Sequence, residues 1–139
     1  MEIKYFNAEI EDAPGIAAME EKYFGQPWKK ESIERYIESG SMIFICAKDK
    51  GELIDDSAVL KAFDEGDLVS IAVKEDYRNM GIARELLDIT YELVAEQGIT
   101  AIHLEVRESN DPAIELYESE GFIMDGRRKG FYSNPKEDA

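Results

Sequence analysis

Val73-Lys74-Glu75-Asp76-Tyr77-Arg78-Asn79-Met80-Gly81-Ile82-Ala83 is the stretch on which the fold reading turns. The segment Asp67 to Val73 enters it as a strand, carrying Leu68, Val69, Ile71 and Val73. A long helix leaves it, from about Gly81 to Gln97. Ile82, Leu86, Ile89 and Leu93, with Ala83, Leu87 and Val94, follow the helical period there, and Gly98 stands at the end. The first N–H groups of such a helix have no partner inside it, and its dipole puts positive potential at that end. An anionic phosphate group fits there. Gly81 permits close backbone approach, Ala83 is small, and Arg78 and Arg84 add positive charge. The turn lacks the three glycines of a Rossmann fingerprint and the Gly-Lys-Ser/Thr of a P-loop. Alone it reads as a phosphate cradle, with a plain turn that uses Gly81 for its conformation as the alternative.

Working outward, Ile3 to Phe6 reads as a first strand, and the alternation from Met1 to Asn7 is not that of a signal peptide. Asp12 is placed to cap a helix with Pro14 in its first turn, running through Met19 to Lys22, and Gly25, Gln26 and Pro27 break it. A second helix runs from about Lys30, with Ile33, Tyr36 and Ile37 on one face, and Gly40 ends it. Met42 to Lys48 is an apolar strand, and Gly51 marks the next turn. Leu53 to Phe63 is acidic and weakly patterned, and is read as a third strand. Beyond the long helix, Thr100 to Arg107 alternates: Ile102, Leu104 and Val106 face one way, and His103, Glu105 and Arg107 the other. Asn110 or Asp111 caps a short helix with Pro112 in its first turn, Gly121 closes it, and Phe122 to Met124 begins another strand. The order β-α-α-β-β-β-α-β-α-β predicts an α/β domain, one mixed sheet with helices on both faces, filling residues 1–139. No internal repeat or linker divides it.

The second informative stretch is Leu104-Glu105-Val106-Arg107-Glu108-Ser109-Asn110, continuing to Leu116-Tyr117-Glu118-Ser119-Glu120-Gly121-Phe122. Taken with Arg78 to Ala83, it resembles the GNAT superfamily of N-acetyltransferases, and within it the bacterial ribosomal-protein alanine N-acetyltransferases. Pro27-Trp28, the run Gly126-Arg127-Arg128-Lys129-Gly130-Phe131-Tyr132 and Glu137-Asp138-Ala139 match the same subfamily. The resemblance implies a GNAT-like sheet and acetyl-CoA as co-substrate. It implies that the backbone of Ile71, Ala72 and Val73 pairs with the pantetheine arm. Arg78, Asn79, Met80, Gly81, Ile82, Ala83 and Arg84 would hold the pyrophosphate, and Asn110 would touch the cofactor. Glu105 matches the general base and Tyr117 the general acid. The acceptor is expected near Trp28 and Tyr132. Two features depart from the family: its final strand lies beyond Ala139, so that strand is absent here, and the stretch from Leu53 to Glu65 is acidic where the family carries a Gly-rich apolar strand.

The chemistry suits those residue types. Acetyl transfer needs a neutral amine, a stabilised oxyanion and a protonated thiol leaving group. An α-amine titrates at about 7.7–8.0, so a weak base suffices near neutrality. A carboxylate can serve directly or through a water, and a tyrosine, near 10, can protonate a departing thiolate whose thiol titrates at about 8.5. The Val73 N–H is a candidate oxyanion donor. Against these roles stand ordinary ones, a solvated Glu on a strand and a packing Tyr. His103, the only histidine, is expected as a partly exposed sheet residue, and Cys46 as a core thiol.

Composition narrows the partners. The chain has 139 residues, 44% hydrophobic and 34% charged, as a soluble globular domain does. The net charge of −15 argues against nucleic acid and suits a cationic acceptor, or simply a solvated surface. No run approaches the ~18 apolar residues of a membrane helix. The single cysteine excludes an internal disulfide, so a cytoplasmic location is the default. No metal-ligand spacing occurs, and no metal is expected. A monomer and a homodimer both remain open. So do three activities: acetylation of a protein N-terminal α-amine, acetylation of lysine side chains or polyamines, and CoA binding without catalysis.

Overall fold

The structure, a computed structural model, describes residues 2–24, 27–133 and 135–139. By contact density it divides into two compact units, residues 1–103 and 104–139. Gly25 and Gln26, expected to help break the first helix, lie outside the described residues.

In the first unit, β1 (Ile3–Asn7), β2 (Met42–Asp49), β3 (Glu52–Ala62), β4 (Glu65–Val73) and β5 (Ala101–His103) form one mixed sheet in that spatial order. The first four strands are antiparallel neighbours, and β5 is parallel to β4. Helices α1 (Ala13–Tyr23) and α2 (Lys30–Ser39) connect β1 to β2, and α3 (Ile82–Glu96) connects β4 to β5. Alternation along β2 assigns the faces. Met42, Phe44 and Cys46 pack with Ala13 and Ile16 of α1 and Ile33 of α2. Ala47 packs instead with Ile54 and with Ile82 of α3. Helices therefore cover both faces, as the sequence implies. Cys46 is fully buried, and burial followed by the charge of Asp56 drives its thiol pKa up, as expected of a core thiol.

Three sequence expectations change, and a fourth, the third strand, holds. Asp12 makes no cap bond to α1. Its carboxylate instead accepts the Glu9 N–H at 2.8 Å and the Lys48 ammonium at 2.7 Å, because the preceding turn offers those donors first. The weak acidic stretch, read as the third strand, is one: β3, with most of its length buried. Residues 104–107 lie outside β5, which keeps only three residues of the expected Thr100–Arg107 strand. Phe122–Met124 is not a strand. The Phe122 N–H turns back to the Tyr117 carbonyl at 3.0 Å, with Gly121 at φ 99, and Ile123 and Met124 are left exposed.

The second unit holds α4 (Asp111–Ser119) and a short C-terminal hairpin. Arg128 and Ala139 exchange both backbone hydrogen bonds, as do Tyr132 and Glu137. The Glu108 N–H reaches the Asp138 carbonyl at 3.1 Å, so the last residues are tied to the segment before α4. Among the described residues no helix is long and apolar enough to cross a membrane.

β3 carries two adjacent buried carboxylates, Asp55 and Asp56. Asp55 lies in the row Tyr5–Ala47–Asp55–Val73, and Asp56 in the row Phe6–Cys46–Asp56–Ala72. Neither oxygen of Asp55 has a hydrogen-bond partner among the described residues. Burial first, then the neighbouring Asp56, pushes the Asp55 carboxyl up to about 9, and burial pushes Asp56 up to about 8. A carboxyl that titrates higher when folded binds more protons in the native state. Its destabilisation therefore grows as pH rises from about 4, the unfolded carboxyl pKa, toward its folded value. Asp55→Ala is expected to stabilise the protein by about 1–3 kcal/mol at pH 8.5 and by less at pH 5. Thermal melts at the two pH values check this; equal or opposite shifts contradict it.

Candidate active site

The central feature of the first unit is the incomplete pairing of β4. β5 accompanies it only from Glu65 to Asp67. From Leu68 to Val73 the edge on that side has no strand partner among the described residues. The Lys74 N–H donates to Ile54 of β3 at 2.8 Å. By antiparallel alternation Ala72 also points its backbone at β3, while Ile71 and Val73 point theirs at the open edge. Of the three residues expected to pair with a pantetheine arm, Ile71 and Val73 thus present free-edge backbone, and Ala72 supplies a small side chain. The Val73 carbonyl is engaged locally, accepting from Arg78 Nε at 2.9 Å.

β4 leads through a 3₁₀ turn, Glu75–Tyr77, to α3. Asn79 and Gly81 both have positive φ, 62° and 77°. These left-handed residues fold the turn so that successive N–H groups face outward at the start of α3, where the helix supplies no acceptors. The helical ladder begins only with Glu85 N–H to the Gly81 carbonyl at 3.1 Å. Space beside Gly81 is open, and Met80 is exposed. Asn79, Met80, Gly81, Ile82 and Ala83 therefore form an anion-receptive turn. Arg78 is turned back along β4, over the Tyr23 ring at 4.9 Å, and contributes its charge from there. Trp28 packs edge-on against Tyr36 and Phe44, at 6.2 and 5.9 Å between ring centroids. It is half-buried packing as much as surface.

The second unit gathers the other candidates. Glu105 pairs with Arg128 Nε at 3.1 Å. The Tyr132 phenol is raised by burial and by the charge of Glu105, and the Tyr117 phenol by burial and by Tyr132. Glu105, Tyr132 and Tyr117 thus share one neighbourhood. Arg107 braces it: its guanidinium lies 4.5 Å from the Tyr132 ring, meets Glu137 at 3.3 Å and donates to the Pro135 and Ser133 carbonyls. Glu137 also accepts the Ser109 N–H at 2.7 Å. Asn110 caps α4 through Oδ1, which accepts the Ala113 N–H at 3.3 Å, so its side-chain NH₂ group remains to meet a cofactor. His103 is half-exposed and faces Glu65 at 3.5 Å, the ordinary sheet role expected of it.

A family model described as the acetyltransferase (GNAT) family matches residues 13–122. The chain belongs to the GNAT family of acetyltransferases. It is an acetyl-CoA-dependent N-acetyltransferase of that family, and its mixed sheet with four helices is the GNAT fold. A protein of Escherichia coli (strain K12) named ribosomal protein bS18-alanine N-acetyltransferase is 30% identical over 138 residues, 94% of this chain and 89% of that one. The crystal structure of the ribosomal-protein-S18-alanine N-acetyltransferase from E. coli superposes with a TM-score of 0.86 at 27% identity, covering 99% of this chain and 89% of that one. The fold is also that of Arabidopsis thaliana NAA60 in complex with acetyl-CoA, with a TM-score of 0.84 at 20% identity over 99% of this chain and 94% of that one. Among the described residues no cluster of three or more His, Cys, Asp or Glu is placed to hold a metal.

Sequence reasoning passed over Arg128 as the partner of Glu105, and over Glu20, a carboxylate buried on the apolar face of α1. Glu20 has a legible signal: it lies four residues after Ile16 on the stripe of Ala13, Ile16 and Met19. The Arg128 pairing has none, since it depends on the fold of the hairpin. At the turn, Gly81→Ala is expected to cost about 1–2 kcal/mol, because a side chain at φ 77° is strained although the space is open. Gly126→Ala, also open but without positive φ, should leave stability within about 0.5 kcal/mol. Urea titrations of the two variants check the contrast.

Proposed function

We propose that this GNAT chain transfers the acetyl group of acetyl-CoA to the N-terminal α-amine of a protein, a ribosomal protein in the first instance. The observation that carries this is the 30% identity across nearly the whole chain to the E. coli ribosomal protein bS18-alanine N-acetyltransferase. Within the chain, the shared neighbourhood of Glu105, Tyr132 and Tyr117 supports the chemistry.

In this reading the free-edge backbone of Ile71 and Val73 receives the pantetheine arm by strand-like hydrogen bonds. The N–H groups of the turn from Asn79 to Ala83 receive the pyrophosphate, and Asn110 gives an amide contact to the cofactor. The amine nitrogen attacks the thioester carbon, and the oxyanion is met by the Val73 N–H. Glu105 accepts the ammonium proton, directly or through a water. The C–S bond breaks, and the thiolate leaves with the proton of the Tyr117 hydroxyl. Burial raises the Tyr117 phenol, so the acid stays protonated well above neutral pH. Trp28 and Tyr132 border the acceptor.

The net charge of −15 favours a cationic acceptor, so a lysine-rich peptide or a polyamine is the second reading. Mass spectrometry of peptides incubated with acetyl-CoA separates the two. Acetylation at the α-nitrogen of an alanine-initiated bS18 peptide is the expected result, and products confined to lysine side chains or polyamines would sink the first reading. Glu105→Gln and Tyr117→Phe should each lower kcat by about 10²–10³-fold, with the Kd for acetyl-CoA unchanged in calorimetry. Wild-type turnover in either variant removes that residue from its role.

A further inference from the structure

Tyr23 is the last residue of α1, one helical turn beyond Met19 and two beyond Ile16, both of which enter the core. A turn earlier on the same helix, Glu20 accepts the Ser70 hydroxyl of β4 at 3.3 Å, so α1 follows β4 toward its end. Tyr23 therefore arrives, half-buried, at the turn that leaves β4. Its hydroxyl oxygen accepts the Glu75 N–H at 3.1 Å. Glu75 opens the 3₁₀ turn, so the turn itself offers that N–H no acceptor. The ring carries the Arg78 guanidinium at 4.9 Å and the Lys22 ammonium at 5.3 Å from its centroid.

The charges are as informative as the contacts. The chain has 31 acidic residues against 16 Lys and Arg, yet among the described residues neither Lys22 nor Arg78 pairs with a carboxylate. Two like charges gathered beside one ring and left unneutralised concentrate positive potential there. Arg78 is also held at a second point, since its Nε donates to the Val73 carbonyl at 2.9 Å. A long side chain fixed at two points has little rotamer freedom left to lose when an anion arrives. Nε is spent on the carbonyl, and the two terminal NH₂ groups of the planar fork are the ones that suit a phosphate.

We propose that Tyr23 is a positioning residue for the cofactor's diphosphate: its hydroxyl pins the first N–H of the turn, and its ring holds the Arg78 guanidinium where β4 gives way to that turn. This rests on the reading of Arg78 and the turn from Asn79 to Ala83 as the pyrophosphate site. Tyr23 acts through Arg78 and the turn, not by touching the reacting atoms. Its effect falls on the affinity for CoA and spares any ligand that lacks the diphosphate.

The test is calorimetry with two probes, CoA and pantetheine, which lacks the diphosphate and the nucleotide. Wild type is compared with Tyr23→Phe, Tyr23→Leu, Arg78→Ala and the Tyr23→Leu, Arg78→Ala double variant. Phe keeps the ring and removes the acceptor oxygen, and Leu removes both. The CoA Kd should rise about threefold in Tyr23→Phe and on the order of tenfold in Tyr23→Leu, with the pantetheine Kd within about twofold of wild type in each. Once Arg78 is removed, Tyr23→Leu should cost only about a further threefold, because the ring no longer has a guanidinium to hold. An unchanged CoA Kd in Tyr23→Leu, an equal loss for pantetheine, or losses that simply multiply in the double variant each overturn the proposal. If pantetheine binds too weakly to measure, the double variant decides. If Tyr23→Leu does not fold, the CoA Kd of Tyr23→Phe decides alone, and no change there overturns the proposal. Wild type binding CoA no more tightly than pantetheine is a different failure: it removes the pyrophosphate reading, and the role of Tyr23 falls with it.

Discussion

β4 is paired with β3 along its full length and with β5 over three residues only, and much of the first unit follows from that asymmetry. A strand paired on both edges has no backbone groups left to give. A strand paired on neither would not hold its register. Pairing with β3 fixes the register here, and the early end of β5 releases the edge at Ile71 and Val73. The strand end then runs directly into the turn and α3. The open edge and the unpaired N–H groups of the helix start therefore lie next to each other in sequence, with no long loop between them to order. A long, thin cofactor with a polar arm and a pyrophosphate matches that succession of hydrogen-bonding groups.

Holding the pleat of β3 under β4 has a cost, and it is concentrated at Asp55 and Asp56. Two adjacent carboxyls on opposite faces of one buried strand cannot both be ionised cheaply. Thr90 and Ser57 show the contrasting case on the same strand, a buried polar pair satisfied at 2.8 Å between β3 and α3. The strand tolerates the acids because its backbone is fully engaged by β2 and β4, so the fold survives side chains that packing alone would reject. Glu20 differs from Asp55 in being partnered: it accepts the Ser70 hydroxyl of β4 at 3.3 Å. A buried acid with a donor from a neighbouring strand helps to specify an arrangement, whereas a buried acid with none only lowers stability.

Much of this was legible in the sequence. The apolar period of α3, the positive-φ glycines at Gly40 and Gly81 and the alternation in β2 are local signals, and the elements they mark stand where they were expected. β3 was legible as a strand only through a weak pattern, because its two aspartates break the alternation that marks one, and pairing on both edges overrides them. The expected strand at Phe122–Met124 failed for the converse reason. Its apolar residues suit a strand, but strand formation needs a partner edge, and the α4 C-terminus turns Phe122 back instead. Both Glu105 and Tyr117 could be named from the local motif. Their link through Tyr132, and the pairing of Glu105 with Arg128, depend on the hairpin from Arg128 to Ala139, which no local pattern reports.

The Glu105–Arg128 pair bears on how a carboxylate can be both held and available. Arg128 is 68% exposed at its side chain and Glu105 30%, so the pair faces solvent. Exposed ion pairs are worth about 0–1 kcal/mol, far less than the binding energy of a substrate. In the proposed reaction an arriving ammonium would take the place of the guanidinium at small cost. Until then the guanidinium keeps the carboxylate oriented. A buried partner would hold Glu105 more firmly, but leaving it would strand a charge in the core and oppose each turnover. Arg107 shows the opposite design. It is 30% exposed at its side chain, stacked on Tyr132 and bonded to Glu137 and two carbonyls, and it anchors the hairpin while Arg128 stays exposed.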